Sequence, residues 1–188
     1  DQASGSEGTA VGFQDWSIPD TTLIGWFWDF GDGGTSVTQH PVHAYDETGA
    51  YDVTLVVRNV LGCRDTIEKT SFVDIFEPPV ARIAPSDTSG CVPYQSDLND
   101  MSTSPYGISS WEWFLDGVPK GTSQNVSHYF TQVGVYEVML VVTDNNGCTD
   151  TTTRNIYVRP VPAANFIAGD TLGCAPMTVQ FTDMSVHE

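Results

Sequence analysis

The feature that most constrains this chain is an internal repeat. Trp26, Trp28, His43, Gly49, Tyr51, Val53, Leu55, Val57, Gly62 and Cys63 are each followed 85 positions later by the same residue, from Trp111 and Trp113 through to Gly147 and Cys148. A second register, of 83, links Cys91, Pro93, Asp100, Met101 and Ser102 to Cys174, Pro176, Asp183, Met184 and Ser185, with Leu98 matched by Phe181. Val179, Phe181, Asp183 and Ser185 also fall on Val11, Phe13, Asp15 and Ser17, so AVGFQDWS opens the first copy. The fold must therefore be a unit of about 80 residues used in series, large enough to bury its own core. The copies are expected at 1–77 and 78–160, with a third beginning at 161–188. The junctions fall at EPPVA and RPVPAA, where proline cannot donate to a ladder and stiffens the link.

Within each copy the apolar period is two. YDVTLVVRN places Val53, Leu55 and Val57 on one face, and YEVMLVVTD does the same with Val138, Leu140 and Val142, as half-buried strands require. These runs end at VLGC and NNGC, where Asn and Gly are expected to supply the positive φ of a tight hairpin. Thr-rich return strands follow. No segment carries an extended 3.6-residue apolar period. Many short strands with frequent turn signals in so small a unit predict a β-sandwich.

WFWDFGDGGTS raises the question of site chemistry, because three aromatics run directly into two acids and three glycines. Trp26 and Trp28 share a strand face, so at least one should enter the core while Phe27 points away. Gly31, Gly33 and Gly34 are expected to turn the chain through positive φ, and Asp29 and Asp32 to accept hydrogen bonds from N–H groups left over in that turn. The sharper reading is calcium, for which Asp29 and Asp32 are hard oxygen ligands. A calcium site takes six to eight oxygens, the spacing is not that of an EF-hand, and the second copy lacks one of the acids, so no cofactor is favoured. His40 and His43 have a spacing found in zinc sites. However, His128 recurs without a partner at the copy of His40, which favours a role in the fold.

Composition excludes several partners. Seven Lys plus Arg against 24 Asp plus Glu give a net charge of −17, which repels phosphate backbones and anionic lipid surfaces. No apolar run is long enough for a membrane helix, so direct membrane insertion is not expected. The opening DQASGSEGTA has neither a basic nor an apolar leader region, and any export signal is expected to lie outside these residues. The sequence has no G-x-S-x-G elbow, no H-E-x-x-H and no phosphate-cradling glycine loop, which predicts a non-catalytic chain. For binding, Trp16, Phe27 and Tyr106 are the candidate aromatics. Trp16 is the most informative, because its copies are Met101 and Met184 and the repeat itself demands no aromatic there. Asn125 opens an NVS sequon, relevant only to a eukaryotic secretory route.

WDFGDGGTS, HPVHAY and TGAYDVTLVVRNVLGC together resemble the PKD domain, an immunoglobulin-like module named after polycystic kidney disease proteins, in its bacterial cell-surface form. The likeness covers most of the chain. The second copy departs from the pattern, with Phe114 at the place of Asp29 and FLDG at the place of FGDG. GCAP around Cys174 and NNGC before Cys148 resemble the tandem repeats of large surface proteins in gliding or type IX secreting bacteria. The resemblance implies an all-β chain of tandem immunoglobulin-like sandwiches, exported, extracellular and held at the cell surface. Such a chain serves as spacer, stalk or adhesion segment, with neighbouring PKD-like modules as its first partners. It also implies two alternatives: a module that binds surface polysaccharide or protein, and an accessory domain of a secreted hydrolase. In that bacterial setting, the DTI at Asp65 and the DTL at Asp170 are candidate O-glycan sites.

Export makes disulfides chemically available. The four cysteines permit three full pairings, and their spacing does not choose among them. Cys91 with Cys148, inside one copy, is the first expectation. It meets a geometric objection, since in an immunoglobulin-like topology these positions stand at opposite ends, beyond the reach of a disulfide. Cys63 and Cys174 are then free or bonded between modules, because Ser6 stands where Cys91 does and the mate of Cys174 would lie beyond Glu188. Bridges from each final hairpin to a neighbouring module, or four free thiols, are the alternatives.

Overall fold

The computed structural model describes residues 3–6, 8–18 and 21–186, and among these the chain is all-β. The first repeat contributes β1 (Ala3–Ser6), β2 (Ala10–Gly12), β3 (Leu23–Asp29), β4 (Thr35–Ser36), β5 (Val42–Ala44), β6 (Gly49–Asn59) and β7 (Arg64–Phe76). One sheet has the order β1-β7-β6-β3-β4, and a second, of two strands, pairs β2 with β5. The period-two pattern of β6 is realised as expected, with Val53 and Leu55 buried on the inner face. They join Phe13, Trp28, Phe30, Tyr45, Val73 and Ile75 in one core. Trp28 is buried and Phe27, its neighbour on the strand, is exposed, as alternation requires.

The second repeat adds β8 (Ile83–Pro85), β9 (Ser89–Cys91), β10 (Tyr94–Asp100), β11 (Ile108–Leu115), β12 (Val118–Gly121), β13 (Val126–Phe130), β14 (Gly134–Asp144) and β15 (Thr149–Arg159). Its sheets run β12-β11-β14-β15-β9 and β13-β10-β8, the same order as the first repeat plus one strand. Val138, Leu140 and Val142 are fully buried along β14. The opening of the third copy forms β16 (Phe166–Ala168) and β17 (Phe181–Asp183). Phe166 pairs with Asp183 just as Ile83 pairs with Asp100, 83 positions earlier.

The change of register from 85 to 83 has a physical cause. In the β6–β7 ladder Tyr51 faces Val73 but Val53 faces Lys69, so β7 carries two more residues than its partner between these pairs. The bulge is centred on Ser71, at φ 46°, whose N–H donates to Asp52 Oδ1 at 2.7 Å. It makes β7 13 residues long where β15 has 11. Residues beyond the bulge therefore match their copies at the shorter spacing.

The two sandwiches also share a tie between strand and loop. The indole N–H of Trp28 donates to the Thr38 carbonyl at 3.0 Å, and that of Trp113 donates to the Ser123 carbonyl at 3.0 Å. Tyr51 and Tyr136 repeat another, each hydroxyl donating to the carbonyl four residues earlier, Glu47 at 2.7 Å and Gln132 at 3.0 Å.

By packing, the chain gathers into two compact units, Asp1–Ala81 with Ser102–Trp111 and Val141–Thr151, and Arg82–Met101 with Glu112–Leu140 and Thr152–Glu188. The division cuts across the repeats, because a loop and the final hairpin of the second repeat belong with the first. Inside that first unit Val80 and Thr103 exchange backbone hydrogen bonds of 2.8 and 3.0 Å, and the Ala81 N–H donates to Asp150 Oδ2 at 2.8 Å. Phe76 meets Tyr106 edge to face, with ring centroids 5.3 Å apart. The EPPVA linker is therefore held by hydrogen bonds.

The recurring indole bond makes a prediction. Trp28→Phe and Trp113→Phe should each lower the unfolding free energy by roughly 1–3 kcal/mol, because each leaves a carbonyl without its donor and a small void. Urea denaturation checks this. An effect at one position and none at the other would mean that the two bonds are not equivalent.

Candidate functional site

Three places carry the chemistry that the sequence singles out, and the first is the acidic turn. Asp29 Oδ1 accepts the Gly31 N–H at 3.0 Å, and Asp32 Oδ1 accepts the Gly34 N–H at 2.8 Å. Both carboxylates thus do the local work expected of them. Gly31 and Gly33 have φ of 83° and 91°. Gly34 does not share that conformation, and the expectation of positive φ there is corrected. It must be glycine because a Cβ would run into the His43 ring. The second repeat solves the same corner differently. Asp116 and Gly117, at φ 49° and 75°, form a two-residue turn between the paired Leu115 and Val118.

His43 completes the first turn. Its Nε2 lies 2.7 Å from Asp32 Oδ2, and its ring stacks on Phe30 at 4.2 Å. Burial would raise the Asp32 carboxyl. The His43 bond, the Gly34 N–H and the charge on His43 outweigh it and hold the group below the ordinary aspartate value. Asp29 and His40 do not join this pair through any hydrogen bond. His40 Nδ1 instead accepts the Asp15 N–H at 3.2 Å. Among the described residues no three His, Cys, Asp or Glu side chains gather as a metal-ligand set.

Asp15 is a hub that sequence reasoning missed. Its carboxylate accepts the Trp26 indole N–H at 2.8 Å, the Gln39 amide at 3.2 Å and the Ser17 N–H at 2.8 Å. Recurrence could have found it, since Asp15, Asp100 and Asp183 are all copies.

The second place is the face of Trp16. This side chain is 82% exposed and lies with Ile18 at the edge of a groove of about 710 Å³, lined also by Phe13, Leu23, Leu55 and Ile67. In the second repeat β8 pairs with Leu98, Asn99 and Asp100 and Ile83 is buried, and the positions that would match β8 in the first repeat fall before residue 1. Of the other binding candidates, Phe27 is exposed on β3, away from the groove, and Tyr106 is engaged with Phe76. The structure does not bring these three aromatics together.

The third place is the cysteines. All four are free. Cys91 ends β9, opposite Arg159 at the far end of β15, while Cys148 immediately precedes that strand. Eleven positions of strand separate Cys148 from Arg159, about 36 Å, so the expected Cys91–Cys148 bridge is corrected. Cys63 and Cys174 are exposed and Cys148 is buried. The hairpin before Cys148 is organised by Asp144, 1% exposed, whose Oδ1 accepts the Asn146 and Cys148 N–H groups and whose Oδ2 accepts the Ser104 hydroxyl. Asn59 does the same for Leu61 and Cys63 in the first repeat. Positive φ at these hairpins falls on Gly62 and Gly147 alone, and the Asn and Asp side chains serve as acceptors.

Two sandwiches of immunoglobulin-like type, built in series from one repeated pattern, define the class of this chain. It belongs to the PKD domain family, whose model matches residues 1–75 and 76–160. The pre-pro-metalloprotease PrtV of Vibrio cholerae is 29% identical over 154 residues, which are 80% of this chain and 16% of that protein. Collagenase ColQ1 of Bacillus cereus is 41% identical over 51 residues, 27% of this chain and 5% of the collagenase. The chain thus spans only a small part of the curated relatives it matches. The solved PKD1 domain of the Vibrio cholerae metalloprotease PrtV is 28% identical with a TM-score of 0.38, over 43% of this chain and 96% of that one.

The acidic turn generates a prediction with a definite sign. Because the folded Asp32 value is depressed, its contribution is fully present above about pH 4, the unfolded value, and is lost as pH falls through the folded one. Asp32→Asn should cost about 0.5–1 kcal/mol at pH 7, reduced by solvent screening, and should make the acid limb of a stability–pH curve shallower. Thermal melts between about pH 2 and 7 would read this. An unchanged acid limb would show that the His43 contact does not act on folding.

Proposed function

We propose that this chain is a non-catalytic, extracellular segment of a bacterial surface protein, in which PKD modules act in series as spacer, stalk and adhesion segment. The observation that carries the reading is the hydrogen-bonded linker. Proline at the junction, the Val80–Thr103 bridge and the Ala81–Asp150 bond remove the freedom that a passive tether would keep. A charge of −17 keeps neighbouring arrays apart and disfavours nucleic acid and anionic membrane surfaces as partners. Attachment at the cell surface, and kinship with gliding or type IX secreted repeats, belong to the same proposal on the strength of the GCAP and NNGC resemblance.

A second reading, a module that holds polysaccharide or protein, is favoured by the exposure of Trp16 beside an apolar groove. A third, an accessory domain of a secreted hydrolase, is favoured by relatives that are named a metalloprotease and a collagenase. Mass mapping of the parent polypeptide separates the first reading from the third. Many further repeats support the array, and one attached catalytic domain supports the accessory role.

The spacer reading expects small-angle scattering from the 188-residue chain to give an elongated particle, roughly twice the ~36 Å of an eleven-residue strand or longer. A compact globule would sink it. On the binding reading, Trp16→Ala should abolish retention on a polysaccharide or partner column while leaving the melting temperature unchanged. Equal retention of both proteins would dispose of that reading.

A further inference from the structure

The buried cysteine at the end of the second repeat has a specific neighbour. Cys148, 5% exposed, is hydrogen-bonded by the side chain of Ser6, at the end of β1 in the first repeat. Both residues belong to the first packed unit. Its copy Cys63, at the same place in the first hairpin, is exposed. What differs is that a preceding repeat stands against the hairpin of the second copy.

Ser6 is also the counterpart of Cys91, by two independent measures. The sequence register of 85 places Cys91 on Ser6. The ladders agree, because β1 runs parallel to β7 with Gly5 opposite Ile75 and Ser6 opposite Phe76, and β9 runs parallel to β15 with Gly90 opposite Val158 and Cys91 opposite Arg159. Ile75 and Val158 are the matching buried residues of the two return strands. The hairpin cysteine of one repeat therefore touches, in the repeat before it, the position that elsewhere carries a cysteine.

We propose that the cysteine closing the first strand position of each repeat, Cys91 or Cys174, is the disulfide partner of the hairpin cysteine of the repeat that follows it, so that consecutive repeats are cross-linked at their junction. Ser6 breaks this pair at the first junction, which accounts for a buried Cys148 that has a well-formed seat and no sulfur opposite it. The inference rests on the tandem, extracellular reading for its oxidising setting, but the chemistry is testable without it.

The step is thiol–disulfide exchange with a small organic disulfide such as oxidised glutathione. The thiolate at the strand position attacks it and forms a mixed disulfide, and one glutathione leaves as thiolate. The Cys148 thiolate then attacks the protein sulfur of that mixed disulfide, and the second glutathione leaves. Two protein thiols are oxidised, one glutathione disulfide is reduced to two thiols, and the two protons released pass to the leaving groups. Burial, and then the charge of Asp144, push the Cys148 thiol up, which keeps little of it as thiolate and makes it a slow attacker of free glutathione disulfide.

The test is Ser6→Cys in the 188-residue chain, oxidised in a glutathione buffer and mapped by non-reducing peptide mass spectrometry. The expected result is one disulfide joining positions 6 and 148, with Cys63, Cys91 and Cys174 still free. The parent chain under the same conditions should form no internal bridge, and its Cys148 should alkylate at least ~10-fold more slowly than Cys63. A folded variant that leaves position 6 unbridged, or that links it to another cysteine, overturns the proposal. So does a Cys91–Cys148 bond in the parent chain, or a Cys148 that alkylates as fast as Cys63. None of these outcomes depends on particle length, so failure here and failure of the spacer reading are distinguishable.

Discussion

Each sandwich depends on burying one large ring that also carries a hydrogen-bond donor. Trp28 and Trp113 fill the centre of their cores, and an indole cannot be buried there without an acceptor for its N–H. The acceptor is a backbone carbonyl in the segment leading from β4 to β5, or from β12 to β13. That single bond ties the larger sheet to the connection that crosses to the smaller one. Around it the alternation of β6 and β14 can supply Val and Leu to the same interior, and the tyrosine that follows the crossing, Tyr45, reaches the Phe30 carbonyl at 3.2 Å to close the other side.

The acids tell a related story about charge. Asp15, Asp29, Asp32, Asp52, Asp116 and Asp144 each accept a backbone N–H that a turn, bulge or hairpin would otherwise leave without a partner. A carboxylate suits this task because a charge-assisted bond to an N–H is stronger than a neutral one. Much of the negative charge is therefore a by-product of making many tight corners with few residues. This is also why the WDFGDGG turn imitates a cation site in sequence. Oxygen ligands and turn acceptors are the same residue type, and only the direction of each carboxylate separates them.

What was legible in the sequence is what repeats locally. The copies, the strands, an inward tryptophan from the pair Trp26 and Trp28, and the outward Phe27 follow from spacing alone. The bulge at Ser71 was visible too, as the change from 85 to 83, although its meaning needed the β6–β7 register. What could not be read depends on residues distant in the chain. Gly34 is required by His43, nine positions on, and not by its own φ. The neighbour of Cys148 lies 142 positions earlier. Spacing within one copy pointed to Cys91 as its mate, and strand length defeats that pairing.

The same contrast separates the chemistry of the fold from the chemistry of the junction. Within a repeat, cores and corners are satisfied by residues that recur, so each copy can be stable on its own terms. At the junction the contacts are made by residues whose copies do something else. Tyr106 meets Phe76, Asp150 caps Ala81, and Cys148 is buried where Cys63 is not. A residue that is exposed in one copy and covered in the next is the signature of a surface reserved for a neighbour. In a serial protein such surfaces, and not the cores, decide whether the modules form a chain of independent beads or a mechanically continuous element.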